Sequence, residues 1–192
     1  MDLKLIYGNM RALCEAPQMM LHYADIPYEY KMVWDHYGSS WAEVKKDIIF
    51  NRLPILIINE DKYLWQSNTI IRYLSNLTKT KPSDEFQLAY CDAVFESTHE
   101  MFSPLNPTIN MTFGEKYNSN KKKLLEDILP NSLNNFEKLL QNSSGNFFIG
   151  NDPFYCDFNA YHHFSMCLIL DKNIFSNFTN LKKFINNFEK LN

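Results

Sequence analysis

Few side chains here stand where they could do chemistry, and most lose that reading on inspection. His162 and His163 are adjacent, so on a helix they cannot share a face, and no His or Cys pair has a metal-ligand spacing such as H-E-x-x-H. Cys14, Cys91, Cys156 and Cys167 lie far apart with no C-x-x-C. Cys14 falls inside a helical pattern rather than at a strand end, which favours a buried structural thiol over a redox nucleophile. Gly145 and Gly150 have G-x-x-x-x-G spacing, but Asn151 and Asp152 follow where a phosphate loop needs Lys and Ser/Thr. Two positions survive. Ser67 opens a helical pattern after a strand, where free N–H groups and the helix dipole gather and favour an anion; a plain helix cap would have the same sequence. Tyr7 ends a short apolar run, where a tyrosine of an arbitrary sequence is more often a core residue.

The elements that must hold these residues are legible. Leu3 to Tyr7 reads as a buried strand and Arg11 to Ala24 as a helix with Leu13, Ala16, Met20 and Tyr23 on one side. Pro17 sits near enough to its start to be tolerated. Tyr28 to Val33 alternates as a strand, and Trp41 to Ile48 is a short helix opened by Ser39 or Ser40. Pro54 to Ile58 and Tyr63 to Trp65 form a hairpin around a polar turn, and Thr69 to Leu77 is again helical. The order is β-α-β-α-β-β-α. From Asp84 onward only helices are expected, over 84–102, 119–140, 156–170 and 180–191, with Ser75 to Ser83 as linker. The reading is an α/β domain over 1–78 and an all-α domain over 84–192.

Composition sets the outer limits. The 192 residues, 45% of them apolar and with 15 Phe, 11 Tyr and 3 Trp, are ample for a packed core. Nineteen basic residues against 22 acidic ones, a net charge of -3, leave no basic face for phosphate neutralisation, so nucleic acid is excluded as a partner. Lys121 to Lys123, beside Glu126 and Asp127, read as a solvated helix face. Apolar runs are too short to span a membrane, and the start of the chain lacks an export signal, so a cytoplasmic protein with free thiols is expected.

Tyr7, Trp41, Lys45, the run Arg52-Leu53-Pro54-Ile55-Leu56 and the run Gln66-Ser67-Asn68-Thr69-Ile70-Ile71-Arg72-Tyr73-Leu74 together resemble the cytosolic glutathione S-transferases, in particular the tyrosine-using mu, pi and sigma classes. Phe148-Ile149-Gly150 with Asp157, and Leu181-Lys182-Lys183-Phe184-Ile185, resemble that family's late helical signatures, so the likeness covers nearly the whole chain. It implies a thioredoxin-like glutathione-binding domain followed by a helical domain, with glutathione as co-substrate, a hydrophobic electrophile as second substrate, no metal, and a homodimer. The resemblance implies that Leu53-Pro54 is cis and that the Leu53 backbone pairs with the cysteinyl unit of glutathione, a form of strand addition. By the same likeness Gln66 and Ser67 hold the γ-glutamyl carboxylate, Trp41, Lys45 and Arg52 reach toward the glycyl end, and Glu100 crosses a two-fold interface to the glutathione amine. Tyr7 is then the activating residue, because a phenolic O–H aimed at the sulfur stabilises the thiolate.

The departures matter too. Leu13 stands where the pi and sigma classes carry an arginine, as it does in the mu class, and Phe154 occupies the usual Ser/Thr capping position before Asp157. Loss of that cap should cost about 0.5–2 kcal/mol unless Asn151 or Asp152 substitutes. Pro104 and Pro107 should end or kink their helix near Ser103, Asn110 stands near where some classes place an aromatic, and the chain stops at Asn192, leaving little to cover the electrophile. Conjugation of glutathione to small hydrophobic electrophiles is the leading reading. Beside it stand a low-activity or crystallin-like binding relative and, from the Trp41/Lys45 spacing, a glutathione-dependent isomerase of the prostaglandin D synthase type.

Overall fold

Five consecutive buried residues, Leu3–Tyr7, form β1 at the centre of a sheet in a computed structural model that describes residues 1–191. The chain divides into two units, Met1–Lys81 and Pro82–Asn192.

In the first unit β1 pairs in parallel with β2 (Glu29–Met32) and antiparallel with β3 (Ile55–Ile58), and β3 pairs antiparallel with β4 (Lys62–Trp65), giving the order β2-β1-β3-β4. Both faces are covered. One carries Ile6, Ile55 and Ile57, which cluster with Val33 and Ile48 under Trp41, Val44, Leu53 and Trp65. The other carries Leu3 and Leu5, and the mutually packed helices α1 (Glu15–Tyr23) and α4 (Ser67–Leu77) bury Ala16, Met20, Leu21, Ile70, Ile71 and Leu74. Lys4, nearly buried, has its charge met by Glu29 at 3.4 Å and Glu60 at 3.1 Å. This four-stranded mixed sheet with flanking helices is thioredoxin-like.

Local chemistry sets the connections. Val33, expected to end a strand, instead begins the one-turn helix α2 (Val33–Tyr37), which stops at Gly38 with φ 67. Ser40 starts α3 (Trp41–Val44), with Glu43 accepting from both its backbone N–H at 3.0 Å and its hydroxyl at 2.7 Å. The expected single helix to Ile48 tightens at once into a 3₁₀ turn, Lys45–Asp47. At the hairpin tip Asn59 and Glu60 both take positive φ, 50° and 67°. Asn59 offsets that cost by exchanging hydrogen bonds with Asp2 at 2.9 and 3.0 Å.

In the second unit α5 (Glu85–Met111) packs against α8 (Tyr155–Leu170). The expected end near Ser103 is overturned: α5 runs on through Pro104 and Pro107. Burial of Met101, Phe102, Leu105 and Thr108 outweighs the two lost backbone donors, and Thr108 Oγ1 donates to the Pro104 carbonyl at 2.9 Å. The expected helix 119–140 is also two helices, α6 (Gly114–Lys123) and α7 (Leu129–Gln141), joined by a wide π turn, Leu124–Ile128. There the Leu129 N–H reaches back to the Leu124 carbonyl, just before Pro130, which has no N–H to continue the α ladder. The last helix, α9 (Thr179–Phe188), starts on a carboxylate: Glu137 accepts from the backbone N–H of Asn180 and of Leu181, each at 2.9 Å.

Helix α8 is buried almost all round, and two of its polar residues bond to α5: Asn159 Nδ2 donates to Thr98 Oγ1 at 2.8 Å, and His163 Nδ1 lies 2.9 Å from the Thr98 carbonyl, which fixes the proton on Nδ1. Gly145 has a packing explanation, since a Cβ there would come within 2.2 Å of the Gly150 backbone. The G-x-x-x-x-G spacing marks a close chain crossing. No helix among the described residues is long and apolar enough to cross a membrane.

Candidate active site

Strand register brings the sequence-derived site residues of the first unit to one end of the sheet. Ile6, Ile55 and Trp65 lie side by side across β1, β3 and β4, so the next row outward holds Tyr7, Pro54 and Gln66. Trp41 and Leu53 pack on the apolar cluster beneath that row. Lys45 and Arg52 are exposed beside it, Lys45 opening the 3₁₀ turn and Arg52 following Phe50 and Asn51, whose φ values of 64° and 50° swing the chain round before the cis Leu53-Pro54 bond.

Tyr7 is buried, and its hydroxyl oxygen accepts the backbone N–H of Leu13 at 3.3 Å. Burial pushes the phenol up to about 12, against a smaller opposing effect from the Leu13 N–H. Tyr7 therefore keeps its proton at any ordinary pH. It cannot act as a base, but with one oxygen lone pair filled by Leu13 its O–H is a donor available to an anion. Cys14, three residues after the exposed Arg11, is fully buried with its thiol raised by desolvation, which makes it an inert packing residue.

Ser67 is the first helical residue of α4 rather than its cap: Gln66 holds the cap position and accepts from the Ile70 N–H at 3.0 Å. Ser67 is 8% exposed and its hydroxyl donates to the Asn68 side-chain oxygen at a long 3.4 Å. Gln66 has φ 70 and ψ 117, a backbone geometry that costs about 1–3 kcal/mol and is kept where a site demands it. The helix start thus offers its N–H groups and a little-used hydroxyl to the same corner as Tyr7. Glu100 is exposed on α5 of the second unit.

Sequence reasoning missed Tyr30. It pairs with Leu5 in the β1–β2 register, and its hydroxyl donates to the carbonyl of Gly8 at 2.7 Å. The available signal was alternation, which puts Tyr30 on the Tyr7 face of the sheet. The sequence displays only the Leu13 side chain, whereas its backbone N–H, which any non-proline residue supplies, is what touches Tyr7. Among the described residues no group of three or more His, Cys, Asp or Glu side chains could hold a metal ion.

Residues 1–76 match the family model described as glutathione S-transferase, N-terminal domain, and residues 99–192 match glutathione S-transferase, C-terminal domain. The chain is 28% identical over 192 residues to glutathione S-transferase P of Caenorhabditis elegans, covering 98% of this chain and 88% of that one. Its fold superposes on the pi-class glutathione S-transferase of Onchocerca volvulus with a TM-score of 0.86 at 25% identity, covering 99% and 88% of the two chains. Rat hPGDS complexed with a quinoline gives a TM-score of 0.87 at 25% identity, covering 100% and 92%. With both domain models matched in order and the tyrosine, cis-proline and helix-start features meeting at one end of the sheet, the chain belongs to the glutathione S-transferase family.

Proposed function

We propose that this protein conjugates the thiol of glutathione to small hydrophobic electrophiles and that Tyr7 promotes the reaction by hydrogen bonding to the thiolate. The observation that carries the reading is the buried, protonated Tyr7 hydroxyl, already accepting from Leu13 and so free to donate. The thiol proton leaves to solvent, the thiolate attacks the electrophilic carbon, and the displaced group or the developing anion takes the electron pair. Tyr7 keeps its own proton throughout and lowers the thiol pKa by stabilising the sulfur anion.

In this reading Gln66 and Ser67 bind the γ-glutamyl carboxylate at the start of α4, with hydrogen bonds strengthened by that charge. The Leu53 backbone, turned by the cis bond to Pro54, pairs with the extended tripeptide, and Trp41, Lys45 and Arg52 face its glycyl end. Glu100 serves the glutathione amine across a homodimer. A cytoplasmic location and glutathione as the co-substrate, with no metal, complete the proposal.

A glutathione-dependent isomerase of the prostaglandin D synthase type is the second reading, favoured by the likeness to rat hPGDS and by the Trp41/Lys45 spacing. One experiment separates the readings: glutathione-affinity retention measured beside turnover of a chlorodinitrobenzene-type electrophile and of a prostaglandin endoperoxide. Retention with aryl turnover supports the transferase. Retention with neither turnover supports a crystallin-like binder, and failure of retention rejects the glutathione site.

A further inference from the structure

Tyr30 lies on β2 opposite Leu5, and because side chains alternate along a strand it shares a sheet face with Leu5 and Tyr7. Its ring extends along that face past Tyr7, and its hydroxyl donates to the Gly8 carbonyl at 2.7 Å. Gly8 is the first residue of the turn between β1 and α1. Asn9, Met10 and Arg11 of that turn are exposed, and Ala12 and Cys14 are buried again. Five residues after Gly8, the Leu13 N–H meets the Tyr7 hydroxyl at 3.3 Å. The near end of an exposed turn is thus tied down by Tyr30, and its far end touches the residue proposed to activate the thiol.

We infer that Tyr30 is a positioning residue for Tyr7: it pins the Gly8 carbonyl and so holds the Gly8–Leu13 turn in the conformation that keeps the Leu13 N–H on the Tyr7 oxygen. Two effects follow for the Tyr7 hydroxyl. An N–H donated to its oxygen makes its own O–H a stronger donor, because linked hydrogen bonds polarise one another. Filling one in-plane lone pair also directs the proton to the other side of the oxygen. The tether itself does not switch with pH, since burial raises the Tyr30 phenol above its ordinary value and it remains a donor.

This inference rests on the proposed role of Tyr7, and the test separates the two. Tyr30→Phe keeps the ring and removes only the tether. It is compared with Tyr7→Phe and with the double variant, reading bound-thiol ionisation by ultraviolet difference, kcat/KM for an aryl electrophile, glutathione Kd, and amide exchange at Leu13. Expected for Tyr30→Phe are faster exchange at Leu13, a raised bound-thiol pKa, and a fall in kcat/KM at neutral pH of about 3- to 10-fold, the worth of one neutral hydrogen bond, with Kd within about twofold. In the Tyr7→Phe background Tyr30→Phe should change the thiol pKa no further. If Tyr7→Phe shifts the thiol and Tyr30→Phe does not, or if Tyr30→Phe acts equally in both backgrounds, the positioning role is overturned while Tyr7 stands. If Tyr7→Phe leaves the thiol unmoved, both readings fall.

Discussion

Asp157 Oδ2 accepts the backbone N–H of Phe154 at 2.8 Å while its Oδ1 accepts that of Phe148 at 3.0 Å. One fully buried carboxylate thus closes the start of α8 and anchors the loop before it. The Phe154 side chain has no acceptor to offer the helix, and the compensation runs backward from the third helical residue to the residue before the helix.

Asp157→Ala should destabilise the protein by about 2–6 kcal/mol, because it leaves one buried and one part-buried N–H group without acceptors at about 1–3 kcal/mol each. Urea unfolding measures this. A loss of only a few tenths of a kcal/mol would mean that water or another side chain takes over both bonds.

The same carboxylate should make stability depend on pH. Burial raises it from the usual 3.8 to about 7, against the backbone donors of Phe148 and Phe154, which lower it. A folded pKa above the unfolded one gives a contribution that is complete below about pH 4, declines as pH rises to about 7, and is flat beyond. Asp157→Asn cannot titrate. The stability difference between wild type and Asp157→Asn should therefore fall across that window, and a constant difference from pH 4 to pH 7 would contradict the raised pKa.

Helix α5 keeps its course through Pro104 and Pro107 at the expense of two backbone donors. Pro104→Ala and Pro107→Ala should each stabilise the protein by about 1–3 kcal/mol, less the ~0.4–1 kcal/mol that proline contributes by restricting the unfolded chain. Thermal melting tests this. A lower Tm in either variant would show that the proline ring makes packing contacts that outweigh the missing hydrogen bond.

Those prolines also mark the limit of what the sequence disclosed. Local rules located the strands of the first unit, α4 and α8, because their apolar spacing and turn residues agree with the tertiary fold. They erred where packing overrules propensity, as at Ser103 where burial of Met101, Phe102 and Leu105 carries the helix onward, and where one proline changes helix register, as at Leu124–Ile128. In the proposed site, the side chains assigned a direct role were legible: Tyr7, Gln66 and Ser67. Backbone donors and tethers were not, since the Leu13 N–H and the Gly8 carbonyl have no sequence signature, and Tyr30 looks like any strand tyrosine.

Ser67 distinguishes a binding residue from a capping one. Its hydroxyl makes no bond to the α4 backbone that would cap the helix, so Ser67→Ala should leave Tm nearly unchanged. Glutathione should nevertheless bind about 10-fold or more weakly, from loss of a charge-assisted hydrogen bond of about 1.5–3 kcal/mol. Titration calorimetry giving equal affinities would remove Ser67 from the site.

The central claim is that the Tyr7 hydroxyl lowers the pKa of the bound thiol, and it is tested most directly by titrating the ultraviolet thiolate band of glutathione bound to wild type and to Tyr7→Phe. A hydrogen bond to a charged sulfur is worth about 1.5–3 kcal/mol, so the bound thiol pKa should rise by about 1–2 units in Tyr7→Phe, with conjugation at neutral pH slowed about 10- to 100-fold and glutathione affinity little changed. The same thiol pKa and the same rate in both proteins would contradict the account.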